Sequence, residues 1–251
     1  MILSRRKLIG IGTVGAGGLL LGGCDKLNDS ADFKGALKGA TGLNQRLHRL
    51  LVGDRLAKEF TEADLSPHFK PNGSITVGDP AYRAHLAQGF AQWALRVDGL
   101  VKQPLMLPLT ALKAMPQRTQ ITRHDCVEGW SAIAKWQGPQ LGAVLAQAGL
   151  LPDARYVVFH CADVLEGAPY YESIDLVEAF HPQTILAWRM NDTPLGEPHG
   201  APLRLRVERQ LGYKQAKYLM RIELRGTLDG LYGGGGGHWE DARGYQWYGG
   251  I

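Results

Sequence analysis

The sequence predicts an α+β fold with a mixed sheet. Strand patterns and short helical patterns follow one another without strict β-α-β alternation, and the chain has no internal repeat. Residues 156–159 (YVVF) form a run of aromatic and β-branched residues that is typical of a buried strand. Residues 141–148 carry apolar side chains at helical spacing, and Gly149 follows as a helix terminator. With 251 residues, 45% of them hydrophobic and 21% charged, the chain suits one large domain or two small ones.

The individual elements follow from hydrophobic periodicity and turn residues. Helical spacing predicts helices near residues 43–51, over 82–90, over 109–115 and over 141–148, with a helical turn at 176–180. Alternating or β-branched runs predict strands over residues 93–97, 119–122, 156–159, 170–174, 184–190, 203–207 and 218–224. The sequence FKPNG at 69–73 predicts a turn, and the five glycines at 233–237 are typical of a flexible linker before an aromatic-rich terminus.

The N-terminal residues have the pattern of an export signal. Arg5 and Arg6 precede an apolar run over residues 9–21, which glycines interrupt and which is too short for a convincing membrane span. Paired arginines are typical of a twin-arginine signal. The sequence LGGC, ending at Cys24, is typical of a lipoprotein cleavage site and predicts Cys24 as the acylated first residue. An ordinary secretory signal with a chance cysteine is the alternative, and Asp25 favours retention in the inner membrane. The expected location is therefore the periplasmic face, with a lipid anchor to the inner membrane.

The charge of the chain belongs largely to this signal. Cleavage before Cys24 removes three basic residues and no acidic one, which lowers the formal net charge from +4 to +1. A nearly neutral mature chain does not favour a nucleic-acid partner or a general membrane-binding surface.

The stretch most typical of a reaction centre is residues 121–136 (ITRHDCVEGWSAIAKW). A short strand leads into Cys126, where the chain turns, and a thiolate is a soft ligand suited to a transition metal. A buried inert cysteine is the structural alternative. Because lipidation would use Cys24, only Cys126 and Cys161 are left, and an oxidising compartment also allows a disulfide between them.

Several motifs in fixed order resemble one protein family. The sequences VDGLV at 97–101, RHDCVEGWS at 123–131, HPQTILAWRMN at 181–191, HGAPLRL at 199–205 and GYKQAKYL at 212–219 resemble the sulfite-oxidase-type molybdopterin oxidoreductases. The resemblance covers most of residues 69–251 and is greatest to the small bacterial exported branch, which includes periplasmic methionine-sulfoxide reductase catalytic subunits. It implies a mixed-sheet molybdopterin-binding domain without the C-terminal immunoglobulin-like domain of the eukaryotic sulfite oxidases.

The resemblance also implies a cofactor and a set of site residues. The cofactor is molybdenum–molybdopterin, with Cys126 as the protein ligand of a mononuclear molybdenum centre. Residues that match cofactor contacts of the family are Asn72, Cys161, His199, Arg204, Gln215, Ala216 and Lys217. Arginine grips a phosphate with two donors and lysine acts as a point charge. Gly129 is expected to allow close backbone approach beside the site. Cys161 stands where the methionine-sulfoxide-reductase branch has a threonine.

The residues after the metal cysteine bear on the substrate. Sulfite oxidases typically have Ala-Gly-Asn-Arg-Arg there and bind a small dianion with arginines, whereas this chain has Val127, Glu128, Gly129 and Trp130. A glutamate beside the metal repels sulfite. The sequence therefore favours oxygen-atom transfer from a neutral sulfoxide, small or protein-bound, with sulfite oxidation by the same site as the alternative. The substrate entrance is expected to include Glu128, Asp163, Tyr170 and Tyr171.

Twin-arginine export carries folded proteins and so agrees with a cofactor inserted before export. The sequence has no Cys-x-x-Cys-His haem motif, so a separate redox partner is expected, for example a haem-bearing membrane subunit or a cytochrome. Two other classes stay open. One is a hydrolase with Cys126 as nucleophile and His124 or His160 as base. The other is a cofactor-free lipoprotein that acts as a binding module.

These interpretations divide the chain into three parts. Residues 1–23 are the twin-arginine and lipoprotein signal, residues 24–68 are a tether with a peripheral helix, and residues 69–251 are the molybdopterin-binding oxidoreductase domain.

Overall fold

The computed structural model describes residues 31–251, with side chains from residue 42 onwards. The predicted signal and Cys24 lie outside the described residues. The described part of the chain divides into two compact units, one that ends at Gly53 and one that runs from Asp54 to Ile251. In the first unit, helix α1 (Ala31–Val52) contains the helical pattern predicted near residues 43–51. No helix in the described part of the chain combines the length and the apolar composition that a membrane span requires.

The second unit holds the remaining elements. Its helices are α2 (Pro80–Ala87), α3 (Leu109–Ala114), α4 (Leu141–Ala148), α5 (Leu176–Ala179) and α6 (His238–Arg243). Its strands are β1 (Ala94–Gly99), β2 (Leu105–Pro108), β3 (Gln117–Cys126), β4 (Trp130–Pro139), β5 (Tyr156–Leu165), β6 (Ala168–Asp175), β7 (Ile185–Ala187), β8 (Arg189–Met190), β9 (Thr193–Pro194), β10 (Arg204–Arg206) and β11 (Leu219–Arg225). Short 3₁₀ turns occur at Glu62–Asp64, Glu197–His199 and Gly212–Lys214.

The largest sheet is mixed, as the sequence predicts. Its strand order is β2-β1-β11-β5-β6. The pair β1 and β11 is parallel, with Val97 opposite Ile222, and the other pairs are antiparallel. Val97, Ile222 and Phe159 from its three central strands are fully buried, so this sheet contributes one wall of the core.

A second sheet of order β3-β4-β8-β9 carries the central cysteine. Strands β3 and β4 form an antiparallel hairpin of ten residue pairs, from Gln117 opposite Pro139 to Cys126 opposite Trp130. Strand β4 then packs closely on β7, because Gly138 has no side chain: a Cβ there would lie 2.0 Å from the Leu186 carbonyl oxygen. This contact joins the second sheet to the two-stranded pair of β7 and β10.

The sequence prediction of an α+β fold is confirmed, but several elements differ in extent. Strands β2 and β4 were not predicted, because LMLP is short and WSAIAKWQGP is rich in alanine and lacks a clean polar alternation. The segment before residue 69 also packs on the compact unit. The Ala57 amide donates to Gln183 Oε1 at 2.7 Å, and the Phe60 amide donates to the Ile121 carbonyl at 2.9 Å. The compact unit begins at Asp54 and so includes this segment.

The glycine run is ordered rather than a free linker. The amides of Gly233 and Gly235 donate to the Asp241 carboxylate over 2.9 and 2.6 Å, and the Ser173 hydroxyl donates to the Gly236 carbonyl. These bonds return the chain to the domain and place α6 against β6.

Candidate functional site

Cys126 lies at the end of β3, where the hairpin turns. The three-residue loop 127–129 closes with a hydrogen bond from the Gly129 amide to the Cys126 carbonyl at 3.1 Å. Gly129 has φ = +85°, a conformation that favours glycine in loops of this length. Apart from its two chain neighbours, no described residue has an atom within 4 Å of where a Cβ of Gly129 would be. The turn conformation by itself favours a glycine here, and the close backbone approach expected at Gly129 stays a prediction.

A cavity of about 190 Å³ opens beside Cys126. Four parts of the chain contribute to its wall: the turn at 72–74, the β3–β4 loop, the β5–β6 hairpin, and the C-terminal part from residue 212. The described residues that line it are Asn72, Gly73, Ser74, Cys126, Val127, Glu128, Asp163, Leu165, Tyr170, Gly212, Tyr213, Gln215, Lys217, Trp239 and Tyr245. Seven of the residues predicted from the sequence are among them: Asn72, Cys126, Glu128, Asp163, Tyr170, Gln215 and Lys217.

Cys126 is a half-buried free thiol on this wall. Burial is the main cause that raises its pKa, and the nearby Glu128 carboxylate adds to the rise. Metal binding requires the thiolate, so coordination at Cys126 would release a proton. Cys161 also carries a free thiol, so the two cysteines do not form the alternative disulfide in this structure.

Glu128 is an ionised carboxylate with two partners. Its Oε2 accepts hydrogen bonds from Trp130 Nε1 at 3.0 Å and from Lys70 Nζ at 3.2 Å, and these contacts lower its pKa. Sequence reasoning missed Lys70, which lies 58 positions earlier in the chain and has no motif around it. Because Lys70 offsets part of its charge, Glu128 repels an anion less strongly than the sequence alone suggests.

Asp163 presents a buried carboxyl group to the cavity. Its residue exposure is 4%, and among the described residues Oδ1 has no hydrogen-bond partner. Burial raises its pKa, and the Ser74 hydroxyl and Lys217 offset this rise only partly. A carboxyl group in this environment holds a proton to higher pH than an exposed aspartate does.

Basic side chains cluster behind the cavity wall. Burial, followed by the charge of Arg206, lowers the pKa of Arg204 to about 9. Burial, followed by the charge of Arg204, lowers the pKa of Lys217 to about 7 and that of His199 to about 4. No carboxylate among the described residues pairs with Arg204 or Lys217. Such a cluster stabilises an anion that enters it, because buried cations without counter-ions are unfavourable.

The hydrogen bonds show which of these groups are free to bind. Lys217 Nζ donates to the carbonyls of Asn72 (2.6 Å), Ser74 and Pro198 (3.0 Å), so its three donors are all used. Arg204 donates from Nη1 to the His199 carbonyl at 3.0 Å, while its buried Nε has no partner in the described structure. The Nδ1 atom of His199 also has no such partner. Arg204 and His199 therefore fit the phosphate of a pterin cofactor best, and Lys217 fixes the turn at 72–74.

The other predicted cofactor contacts lie close by. The Gln215 side chain lines the cavity and has an unpartnered Oε1 among the described residues, while its carbonyl faces Arg204 Nη2 at 3.4 Å. The Ala216 carbonyl accepts from the Leu205 amide at 2.8 Å, which aligns this segment with β10. Cys161 packs against the core on β5 and does not line the cavity, and burial raises the pKa of its thiol well above the usual range.

The predicted tyrosine pair separates in the structure. Tyr170 lines the cavity, and its hydroxyl donates to the Tyr213 carbonyl at 2.6 Å. Tyr171 points to the other side of β6, where it lines a second cavity and its ring contacts Tyr232 at 4.3 Å between centroids. The prediction that Tyr171 belongs to the entrance is corrected, because successive residues of a strand face opposite sides of the sheet.

Three cavity residues that the sequence reasoning did not assign to a site are aromatic: Tyr213, Trp239 and Tyr245. The aromatic-rich composition of the C-terminus was the available signal. It indicated that these residues must dock, but it did not indicate where.

The histidines do not fit a Cys–His hydrolase. Arg206 Nη1 donates to His124 Nδ1 at 3.1 Å, which leaves the proton of the neutral ring on Nε2. Burial, with the charges of Arg206 and Arg204, lowers the pKa of His124 well below its usual range. His160 Nε2 bonds to Glu223 at 2.9 Å on the five-stranded sheet and does not line the cavity. His124 thus has no free acceptor nitrogen, and neither histidine lines the cavity beside Cys126.

A thiol on a cavity wall, backed by the buried Arg204 and Lys217, which pair with no carboxylate among the described residues, fits a cofactor-binding domain of the α+β class. The family model described as the oxidoreductase molybdopterin binding domain matches residues 83–229. The chain belongs to this family. It is therefore an oxidoreductase whose domain binds molybdenum–molybdopterin, as the sequence resemblance implied.

Two curated proteins and one solved structure agree with this assignment. A protein of Azospira oryzae with the provisional name protein-methionine-sulfoxide reductase subunit YedZ1 is 38% identical over 236 residues, which cover 93% of this chain and 83% of that protein. The protein-methionine-sulfoxide reductase catalytic subunit MsrP of Xanthomonas campestris pv. campestris is 35% identical over 58% of this chain and 48% of its own length.

The sulfane dehydrogenase SoxCD from Paracoccus pantotrophus superposes with a TM-score of 0.50 at 22% identity, over 55% of this chain and 39% of that chain. This likeness supports the sulfite-oxidase-type fold. The described residues after β11 form α6 and irregular segments, not an immunoglobulin-like sandwich.

Proposed function

We propose that this protein is an exported molybdenum-dependent reductase of sulfoxides, with Cys126 as the protein ligand of the metal. The cavity wall carries the argument for an uncharged substrate. It contains no arginine among the described residues, and its one lysine, Lys217, is fully engaged by three backbone carbonyls. The rest of the wall includes two acidic side chains and four aromatic rings, a poor site for a dianion and a good one for an apolar molecule with one polar bond. The names of the two curated relatives, both methionine-sulfoxide reductase subunits, support the same substrate class.

The residues around the cavity fit the cofactor. Cys126 would supply a soft thiolate to the metal. Arg204 Nε and His199 Nδ1 would meet the pterin phosphate, and Asn72 and Gln215 would offer their unpartnered side-chain oxygens to pterin donors. When bound, molybdenum–molybdopterin supplies two-electron oxygen-atom transfer chemistry.

The protein's own contribution to the reaction includes a proton source. Reduction of a sulfoxide breaks the sulfur–oxygen bond, consumes two electrons and two protons, and releases a thioether and water. Asp163 lines the cavity and keeps its proton to a raised pH, so its carboxyl group can protonate the departing oxygen. Tyr170, whose hydroxyl is fixed on the Tyr213 carbonyl, helps to exclude water beside it.

The electrons must come from another protein. We propose a separate redox partner, such as a haem-bearing membrane subunit or a cytochrome, since the sequence has no haem-attachment motif. The twin-arginine and lipoprotein patterns before Cys24 support a location at the periplasmic face, with a lipid anchor to the inner membrane. In this arrangement, anchoring would keep the enzyme near a membrane-bound electron donor.

The test uses full-length protein exported from a molybdate-supplied host. Metal and pterin analysis is expected to give molybdenum equimolar with the chain. Reduced viologen dye is expected to be oxidised upon addition of methionine sulfoxide, whereas sulfite with ferricyanide is expected to give slow turnover at best. Rapid sulfite oxidation with a low-micromolar KM would reverse the substrate assignment. Folded, exported protein without metal would instead favour the cofactor-free binding module.

A further inference from the structure

The C-terminal segment, residues 238–251, brings aromatic rings to the cavity. Trp239 and Tyr245 stack with centroids 5.8 Å apart and ring planes at 23°. Tyr213 meets Tyr245 edge to face at 5.3 Å, and all three side chains line the cavity that contains Cys126. We call these three residues the aromatic wall.

The segment that carries the wall is fixed firmly to the domain. Glu240 pairs with the buried Lys214 directly after Trp239. The Tyr213 hydroxyl donates to the Gln246 carbonyl at 2.5 Å, and the Leu211 amide donates to the Gly249 carbonyl at 2.8 Å. These contacts lie on both sides of Tyr245. The aromatic wall is therefore a preformed surface rather than a loosely attached tail.

The chemistry of the wall matches one part of a sulfoxide. Aromatic rings bind sulfur-bearing methyl and methylene groups through dispersion and sulfur–aromatic contacts, whereas the negative face of a ring does not attract an inorganic anion. The two acidic side chains of the cavity wall, Asp163 and Glu128, are contributed by the β5–β6 hairpin and the β3–β4 loop. One side of the cavity can thus contact the polar sulfur–oxygen bond of a dialkyl sulfoxide. The aromatic wall can contact its alkyl groups.

We infer that the aromatic wall is the specificity element of the substrate site and selects sulfoxides with extended alkyl arms, such as a methionine sulfoxide side chain, over dimethyl sulfoxide. This inference rests on the proposed function and deepens it. It assigns a role to the C-terminal segment, outside the family match that ends at residue 229.

The test compares Trp239→Ala and Tyr245→Ala with wild type, using N-acetylmethionine sulfoxide and dimethyl sulfoxide as substrates. Loss of one ring is expected to raise KM for N-acetylmethionine sulfoxide roughly 5- to 20-fold. The reason is that the substrate loses one sulfur–aromatic contact and the burial of apolar surface against that ring. The KM for dimethyl sulfoxide is expected to change less than roughly threefold, because it has no extended arm to lose. In both cases kcat and molybdenum content should stay near wild type.

Two further variants keep the result interpretable. Trp239→Phe retains an aromatic ring and should recover most of the affinity lost in Trp239→Ala, even if the alanine variant folds poorly. Tyr232→Ala is the matched control: it removes a ring from the second cavity, beside Tyr171, and should leave both KM values unchanged. Equal KM shifts for the two substrates, or the same shift in Tyr232→Ala, would overturn the inference.

Calorimetry with N-acetylmethionine sulfone separates this inference from the proposed function. The sulfone keeps the alkyl arm and needs no turnover. Weaker sulfone binding by Trp239→Ala supports the aromatic wall even if wild-type enzyme reduces neither sulfoxide, an outcome that defeats only the proposed reaction. Unchanged sulfone binding in an enzyme that does reduce sulfoxides overturns only the role of the wall.

Discussion

Lys214 and Glu240 form a fully buried ion pair that joins the turn after β10 to the C-terminal helix α6. Glu172 on β6 approaches the same ammonium at 2.5 Å, so one buried cation faces two buried carboxyl groups. Burial, together with the charge of Glu240, raises the pKa of Glu172 well above its usual range, whereas the two glutamates raise the pKa of Lys214 against the effect of burial. The raised pKa favours a proton on Glu172, which leaves Lys214 to form its ion pair with Glu240.

This proton assignment predicts unequal effects of substitution on stability. Glu172→Gln replaces a neutral carboxyl with a neutral amide of the same shape, so the free energy of unfolding should change by less than about 1 kcal/mol. Lys214→Met removes the cation and leaves carboxyl groups buried without a partner, which should cost about 3–5 kcal/mol. Urea unfolding at neutral pH measures both. A Glu172→Gln loss as large as that of Lys214→Met would contradict the protonated state of Glu172.

Cys126→Ser should abolish the redox activity while the chain stays folded. Substitution of residues that only hydrogen-bond to a metal ligand already reduces activity or metal affinity about 10- to 100-fold. Loss of the ligand itself should therefore reduce kcat at least 100-fold. The metal's electron paramagnetic resonance spectrum should change as well. Cys161→Ser is the control, because Cys161 does not line the cavity, and it should keep both the spectrum and most of the activity. An unaltered spectrum in Cys126→Ser would exclude Cys126 as the ligand.

Asp163→Asn should reduce turnover and remove a pH dependence. General acid catalysis contributes about 10²- to 10⁴-fold, so kcat should fall within that range while molybdenum content stays unchanged. The wild-type kcat should decline as pH rises through the raised pKa of Asp163, because only the protonated acid donates. The variant should lack this decline. Glu166→Gln, on the tip of the same hairpin, is the exposed acidic control. Loss of molybdenum in Asp163→Asn would instead identify a cofactor contact.

The stability of the cofactor-free protein should depend on His199 at acid pH. Burial and Arg204 lower the folded-state pKa of His199 to about 4 from its usual 6.5. The unfolded chain therefore binds the proton more readily, and the stability contributed by neutral His199 is present above pH 6.5 and is lost as pH falls towards 4. Thermal unfolding of His199→Asn between these pH values should show a weaker pH dependence than wild type. Parallel curves would exclude this contribution.

Local sequence signals predicted much of the fold and the chemical centre. Helix α4 and strand β5 are recognisable because each is a short, strongly patterned segment, with a terminating glycine after the helix and β-branched residues in the strand. Cys126 stood out because its neighbours occur in a fixed order with motifs at residues 199–219. Each of these signals lies within a few residues or within one recognisable motif.

The contacts that complete the site are not local, and the sequence did not indicate them. Lys70 meets Glu128 across 58 positions, and only the folded turn before α2 brings them together. The sequence predicts both Tyr170 and Tyr171 at the substrate entrance. Without the register of the strand, it does not show which of two neighbouring side chains faces the cavity. The aromatic wall could not be predicted, because the glycine run before it has the composition of a flexible linker. In the structure, hydrogen bonds to Asp241 and Ser173 hold this run in place.

Strands β1 and β11 lie side by side, although more than one hundred residues separate them in the chain. The cavity likewise needs Asn72 from one end of the domain and Tyr245 from the other. On the ribosome, the emerging chain can make hairpin β3–β4 early, but it cannot close the large sheet before β11, or the cavity before Tyr245, has left the exit tunnel. The binding site is thus complete only once Tyr245 has been synthesised, so cofactor loading must follow synthesis of the whole domain and must precede passage through any export channel that accepts only folded cargo.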